Sequence, residues 1–461
     1  MIKIKVNTCT AARARDVAER PRRWRRLGSP DRQPGAALAA RALPYSACNL
    51  PLDLDPSPHG QRTSGQVLVL LRSPLQGSST ICRRKALQAR KATVSDPQIT
   101  RRDNSIDAAR GIAIVLVVVG HALEILFYNR PDGAFSQVAF DLWRLIYSAH
   151  IPAFFVLAGM SRKPSPQAVQ TRSARLVVLA MTAHLVIALP SILLTTKGHL
   201  TSPGTLLVLI LRPLVLGTGF AAPSLWFLIA LAGVEALWTK LQGRTWLVAT
   251  AVVTLTGLAL LCPQTVPNLW SFKDLGPGLT FYALGAALRD APKRRFVQVT
   301  ALAVLCWVLA TAANKGCYLP KTGWCSLPGL NDQFAPMMAI GAYGDYRLFL
   351  ASAIGGALAI LGAGVAAARS PVSMAAGWAG RNSLNIYLIN GTALAIANPL
   401  LKTAPLGPDS NAAVLAVTIA AVIAHGVIAN ALRKPLQVSQ LASYRLADQL
   451  MQGKEPRQSL A

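Results

Sequence analysis

Arg110 and His121 bracket the ten-residue run GIAIVLVVVG, which holds no other polar side chain. An α-helix turns 100° per residue, so a separation of eleven residues makes about three turns and sets both side chains on one face, roughly 16 Å apart. At a membrane boundary a guanidinium suits phosphate, because its planar fork stays charged and donates paired hydrogen bonds. Deeper in the layer, a neutral imidazole can take the proton of a hydroxyl. Glu124 follows His121 by one turn and can orient its ring, and Asp107 precedes Arg110 by one turn and can pair with it. The same two residues also fit a plainer pattern, an arginine ending a membrane span and an interior histidine with a local partner.

A second pair of guanidiniums stands in "TRSAR". Arg172 and Arg175 are three apart at the start of the third apolar segment, on one helical face and at the same boundary as Arg110. Taken together, the three arginines form a cradle for a polyphosphate such as that of coenzyme A. Alone, an RxxR pair reads as a topology anchor.

These residues need apolar helices to carry them, and the composition supplies them. Of 461 residues, 52% are hydrophobic and 14% charged, with a positive mean hydropathy of +0.39, a combination that soluble domains rarely show. The fold class expected is an all-α, polytopic membrane bundle of about ten transmembrane helices, near 111–129, 138–160, 175–195, 224–240, 245–262, 275–289, 296–313, 346–368, 382–400 and 412–432. The net charge of +28 does not point to nucleic acid. Its arginines and lysines cluster in the first hundred residues and in short loops between apolar runs, where they set topology and meet anionic lipid.

Residues 1–102 are basic, rich in Pro and Ser and without a helical period, so disorder is expected there. Residues 103–432 form the membrane domain and 433–461 a C-terminal tail. The stretch "PGTLLVLILRPLVLGTG" at 203–219 is broken by Arg212–Pro213. Treating it as re-entrant or interfacial puts "SRKPSPQAVQTRSAR", "TKLQGR", "RDAPKRR", "AAARS" and "LRKP" on one side, with both termini cytoplasmic, as the positive-inside rule requires. Cys317 and Cys325 then lie outside, close enough in sequence for a small disulfide loop or as two unrelated thiols. The seven cysteines show no metal-ligand spacing, so no metal is expected.

The words "RDNSIDAARGIAIVLVVVGHALE", "SAHIPAFFVLAGM", "RSARLVVL", "PSLWFLIALAGVEALW", "FYALGAAL" and "GRNSLNIYLIN", in that order, resemble the acyltransferase 3 family of bacterial integral-membrane acyltransferases, closest in flavour to its fucose 4-O-acetylase-like branch. The resemblance covers about residues 103–432. It implies a ten-helix domain in the bacterial inner membrane that moves an acyl group, usually acetyl, from cytoplasmic acyl-coenzyme A onto a hydroxyl, commonly of a surface polysaccharide. The family's first-helix arginine and histidine fall on Arg110 and His121, and its RxxR arginines on Arg172 and Arg175. His150 matches the histidine of the family's HxPxFF word and is expected to line the pocket or support it.

Two positions depart from the pattern. Ala158 stands where relatives often carry Ser, and Asn390 where they often carry His; Asn390 still offers a donor and an acceptor. Trp226 and Phe227 can stack on a sugar, although Trp at a helix end also serves as an interfacial anchor. Glu235 is expected to snorkel or to pair with Lys240 or Arg244, and His184 and His425 to be satisfied core groups.

The activity expected from this pattern is O-acylation. His121 acts as base with Glu124 behind it, Arg110, Arg172 and Arg175 hold the coenzyme, and His150, Trp226 and Asn390 meet the acceptor. Acetyl-coenzyme A is a co-substrate, and no permanently bound cofactor is expected. Its partners are the donor, a carbohydrate or other hydroxyl acceptor, and the bilayer. The alternative is a transporter or lipid-linked sugar flippase, since ten helices with a buried histidine and a broken segment also suit alternating access. The lack of a visible internal repeat and the order of the quoted words favour the transferase.

Overall fold

A computed structural model describes residues 103–128, 137–161, 166–190, 203–262, 266–314, 336–403 and 411–452. The basic segment 1–102 and the loop with Cys317 and Cys325 lie outside the described residues. Among the described residues there are thirteen α-helices and no strand beyond the isolated bridge Met337–Ala342. In chain order they are α1 (Asn104–Tyr128), α2 (Gln137–Met160), α3 (Pro166–Ala183), α4 (Pro203–Leu216), α5 (Trp226–Leu241), α6 (Thr245–Leu261) and α7 (Phe272–Leu288). There follow α8 (Lys293–Ala313), α9 (Tyr346–Ala367), α10 (Ser373–Arg381), α11 (Ser383–Thr403), α12 (Asn411–Ala431) and α13 (Arg433–Gln452).

Each of the ten apolar segments read from the sequence falls on a helix over its described residues. Among the described residues, six helical stretches are by themselves long and apolar enough to cross a membrane, within α1, α2, α8, α9, α12 and α3 with its π-helical extension His184–Ala188. The fold is an all-α membrane bundle. At 14 residues, α4 reaches only about 21 Å, short of a hydrocarbon layer of about 30 Å. Pro213 sits inside it.

Burial separates the centre of the bundle from its rim. The spans of α1 and α2 are 72% and 83% buried, those of α8 and α12 only 22%. On α12, Leu415, Ile419, Ile423 and Val427 recur every four residues and are all exposed, a continuous apolar stripe of the kind that faces lipid. The central α1 packs against α2, α9, α10, α11 and α12, so residues from five neighbours can reach its polar side chains.

Close helix approach depends on small residues. A Cβ on Gly159 of α2 would meet the Tyr282 carbonyl of α7, and one on Gly285 of α7 would meet the Val156 carbonyl of α2. This mutual contact brings the end of α2 against the end of α7 and positions the inner pocket described below. Helix α13, in the region read as a tail, packs on α3. Its sequence is too polar to resemble a span, and the signal for its docking is the Asp448 carboxylate facing Arg175.

Candidate active site

His121 lies on the buried face of α1, 1% exposed. Its Nδ1 is 3.2 Å from Glu124 Oε2, one turn along the same helix. The Tyr147 hydroxyl of α2 donates to the same Oε2 at 2.7 Å and also touches His121 Nδ1. The hydroxyl has one proton, and the carboxylate takes it. The consistent assignment therefore has Nδ1–H as a donor to the two oxygens, which leaves the acceptor lone pair on Nε2. A carboxylate and a phenol thus fix ring orientation and tautomer together. Trp143 and His150 close the cluster, their rings 5.1 and 4.9 Å from that of Tyr147.

His150 stacks edge-on to His121 at 6.5 Å. Its Nδ1–H donates to the Ile146 carbonyl at 2.7 Å, one turn back, so Nε2 is its acceptor. That atom is buried and has no partner among the described residues. His425 of α12 repeats the pattern: Nδ1 bonds the Ala421 carbonyl at 2.7 Å, and Nε2 is buried without a partner among the described residues. His425 stands beside the Asn390 backbone and within electrostatic range of His121. The expectation of a satisfied core group is met at Nδ1 of His425, whose ring also lies against the Asn390 backbone. The same expectation holds for His184, whose Nε2 bonds the Leu209 carbonyl and whose Nδ1 accepts the Ala221 amide, both at 3.1 Å.

Asn390 is fully buried on α11 with neither Oδ1 nor Nδ2 partnered among the described residues. The next residue, Gly391, packs against Ala222 and Ser224, and Tyr387 Oη donates to the Ser224 carbonyl at 2.9 Å. Trp226 leaves that same 222–226 turn, buried rather than interfacial, with its Nε1 also unpartnered among the described residues. Each unpartnered buried polar group costs about 1–3 kcal/mol of desolvation. Such groups stand on α2, α11, α12 and the 222–226 turn, at His150, Asn390, His425 and Trp226.

The inner end of α1 holds a second constellation. Arg110 is 2% exposed, pairs with Asp107 at 3.5 Å and donates to the Ser161 hydroxyl at the end of α2. The contacts Arg110–Ser161 and His121–Tyr147 place α1 and α2 antiparallel. A pocket of about 200 Å³ opens beside Arg110, lined among others by Asp103, Ser105, Asp107, Ser161, Arg289 and Lys293. Lys293 pairs with Asp103 at 2.6 Å. Partial burial raises the Asp103 carboxyl, but the hydrogen bonds and charge of Lys293 and Ser105 outweigh it and hold the group below the usual aspartate value.

Arg172 and Arg175 lie at this inner level without lining the pocket. Arg172 Nη2 sits 3.0 Å from Glu235 Oε1, an ion pair by distance whose angle is too bent for a hydrogen bond, since both atoms lack one. Glu235 therefore pairs with α3 and not with Lys240 or Arg244: it faces the helix packed on α5, whereas those two residues lie at the end of α5 and beyond it. Arg175 grips Asp448 with two hydrogen bonds, 3.0 and 2.9 Å, and stacks over Tyr444. No group of three or more potential metal ligands gathers among the described residues.

Three residues of these clusters escape a reading of the sequence. Tyr147 carries a signal in hindsight, one helical turn before the motif histidine His150. Arg289 and Lys293 are hidden among the topology charges of "RDAPKRR".

Comparison with known proteins bears on the same segment. The acyltransferase 3 family model, described as an acyltransferase domain, matches residues 103–429. Two curated relatives are similar over short stretches. Nodulation protein NolL of Mesorhizobium japonicum is 35% identical over 83 residues, 17% of this chain and 21% of the relative. Nodulation protein NolL of Sinorhizobium fredii is 36% identical over 58 residues, 13% of this chain and 15% of the relative. The aligned stretch thus spans about a fifth or less of these relatives. No solved structure matches the chain.

Proposed function

The chain belongs to the acyltransferase 3 family, and from that premise we propose that it transfers an acyl group, acetyl by default, from acyl-coenzyme A to a hydroxyl of a carbohydrate acceptor. The observation that carries this reading is the buried His121–Glu124–Tyr147 network, about three helical turns from Arg110. A coenzyme A thioester separates its phosphates from the reacting carbonyl by a long pantetheine arm. An anion-binding group and a base set about 16 Å apart on one helix suit a donor of that shape.

The thioester is already activated, because a thiol with a pKa of about 8.5 is a good leaving group. The protein has to align two substrates and move one proton. His121 Nε2 takes the acceptor's hydroxyl proton as its oxygen attacks the carbonyl. The C–S bond then breaks and coenzyme A leaves as thiolate, to which the imidazolium returns the proton. Glu124 and Tyr147 hold the ring and stabilise its transient positive charge. Asn390, Trp226 and His150 engage the acceptor, while Arg110 holds donor phosphate with Arg172 and Arg175 adding positive charge at the same level. The enzyme resides in the inner membrane with both termini cytoplasmic, so that the donor meets the basic face.

The deciding experiment incubates the purified protein in lipid nanodiscs with radiolabelled acetyl-coenzyme A and a panel of cell-surface glycans. Transfer of label to glycan, dependent on the protein, supports the reading. Protein-dependent movement of substrate across vesicles without donor consumption would replace it with transport.

A further inference from the structure

The pocket beside Arg110 holds two cations to which no role has been given. We infer that Arg289 and Lys293, with Arg110, form the binding site for the donor's phosphates; this rests on the acyl-coenzyme A reading above and names the residues that recognise the donor.

The three cations reach the pocket from three places. Arg110 comes from α1, Arg289 is the cap residue just after α7, and Lys293 is the first residue of α8. Arg289 Nη2 donates to the Gly159 carbonyl at 2.7 Å, which fixes the plane of the guanidinium. Its Nε is buried without a partner among the described residues. One edge of the fork is thus anchored to protein while another donor lacks an acceptor, and phosphate oxygen is the acceptor that a guanidinium fits best. The start of α8 has Pro292 as its cap residue and no side-chain cap, and Ala291 and Lys293 on either side of it line the pocket, so the helix's positive end lies beside it.

Two carboxylates line the same space, and their arrangement permits exchange. The Lys293–Asp103 pair is 49% and 35% exposed, and solvent-screened pairs of that kind hold weakly. A phosphate dianion can take Lys293 from Asp103, while Asp107 keeps Arg110 in register. The volume of about 200 Å³ is below the roughly 300–1,000 Å³ of a whole-ligand pocket. It accommodates the phosphates and leaves the nucleoside and the pantetheine arm outside. Arg172, by contrast, faces Glu235, and Arg175 is bidentate to Asp448, so the RxxR pair is engaged with protein carboxylates.

The test measures coenzyme A binding by calorimetry to full-length protein in nanodiscs of uncharged lipid. Arg289→Gln and Lys293→Gln are each expected to weaken binding at least tenfold and to flatten its salt dependence, with Arg289→Lys keeping the salt dependence but recovering only part of the affinity. In turnover they raise the KM for acetyl-coenzyme A and leave kcat unchanged. A purely structural role would instead lower the thermal midpoint and kcat together. Arg347→Gln, in an exposed pair with Asp345, serves as a control expected to match wild type. Wild-type affinity in both pocket variants, with loss in Arg172→Gln, overturns the proposal and leaves the donor reading standing. If the pocket variants lose only retention of phosphatidylglycerol, the site belongs to a lipid headgroup and the proposal also falls. No coenzyme A binding by wild type, with acyl transfer also absent, removes the donor reading and this inference together.

Discussion

Tyr147 Oη donates to Glu124 Oε2 at 2.7 Å while touching His121 Nδ1, so a phenol from α2 locks the acid–imidazole pair of α1. The geometry makes Tyr147 a positioning residue for the proposed base. Hydrogen bonds to charged groups contribute about 1.5–3 kcal/mol, which corresponds to a fall in kcat of roughly ten- to a hundredfold in Tyr147→Phe. A changed pH profile for kcat, with the thermal midpoint little altered, is the expected signature. A lower midpoint with an unchanged profile assigns Tyr147 to packing alone.

His121→Ala removes the proposed base itself. General-base help amounts to about 10² to 10⁴ in rate, and turnover should fall by that factor while coenzyme A binding persists. Single-turnover rates and a binding isotherm on the same preparation separate the two effects. Wild-type turnover takes His121 out of the chemistry.

Asn390→Leu tests whether the unpartnered amide waits for a guest. Replacing unsatisfied polar atoms by an apolar group of similar size is neutral or stabilising for the fold. The thermal midpoint should therefore hold or rise as the acceptor KM rises at least tenfold. A falling midpoint with unchanged KM shows that Asn390 serves the bundle instead.

Gly285→Leu drives a side chain into the Val156 carbonyl across the α2–α7 contact. Overpacking of this kind typically costs about 1–3 kcal/mol or more, and the inner pocket shares the same helix ends. Less monodisperse protein on size exclusion, with weakened coenzyme A binding in the folded fraction, is expected. Undisturbed yield and affinity show that the two helices can move apart without consequence.

Asp448→Ala frees Arg175 and the docking edge of α13. Both partners of the pair are partly exposed, and such pairs contribute about 0–1 kcal/mol, so the thermal midpoint should shift only slightly. Cleavage of α13 by added protease should rise by about two- to fivefold, the factor that up to 1 kcal/mol of lost docking energy allows. Unchanged cleavage assigns the docking to the apolar face of α13.

Much of the molecule is local in origin and legible in the chain. Runs of apolar residues specify helices, because in a hydrocarbon layer each backbone amide must be satisfied within its own segment. The spacing of Arg110, His121 and Glu124 follows from helical periodicity alone, and all three indeed share the buried side of α1. Which neighbours meet those side chains is a different matter. Tyr147 reaches Glu124, Glu235 chooses Arg172, Arg175 closes on Asp448, and Arg289 and Lys293 converge beside Arg110 only because particular helices pack in a particular register. Lone polar residues in apolar helices carry no pattern that names a distant partner. Their pairing is decided where small residues let backbones approach and where burial makes an unmatched charge or amide expensive.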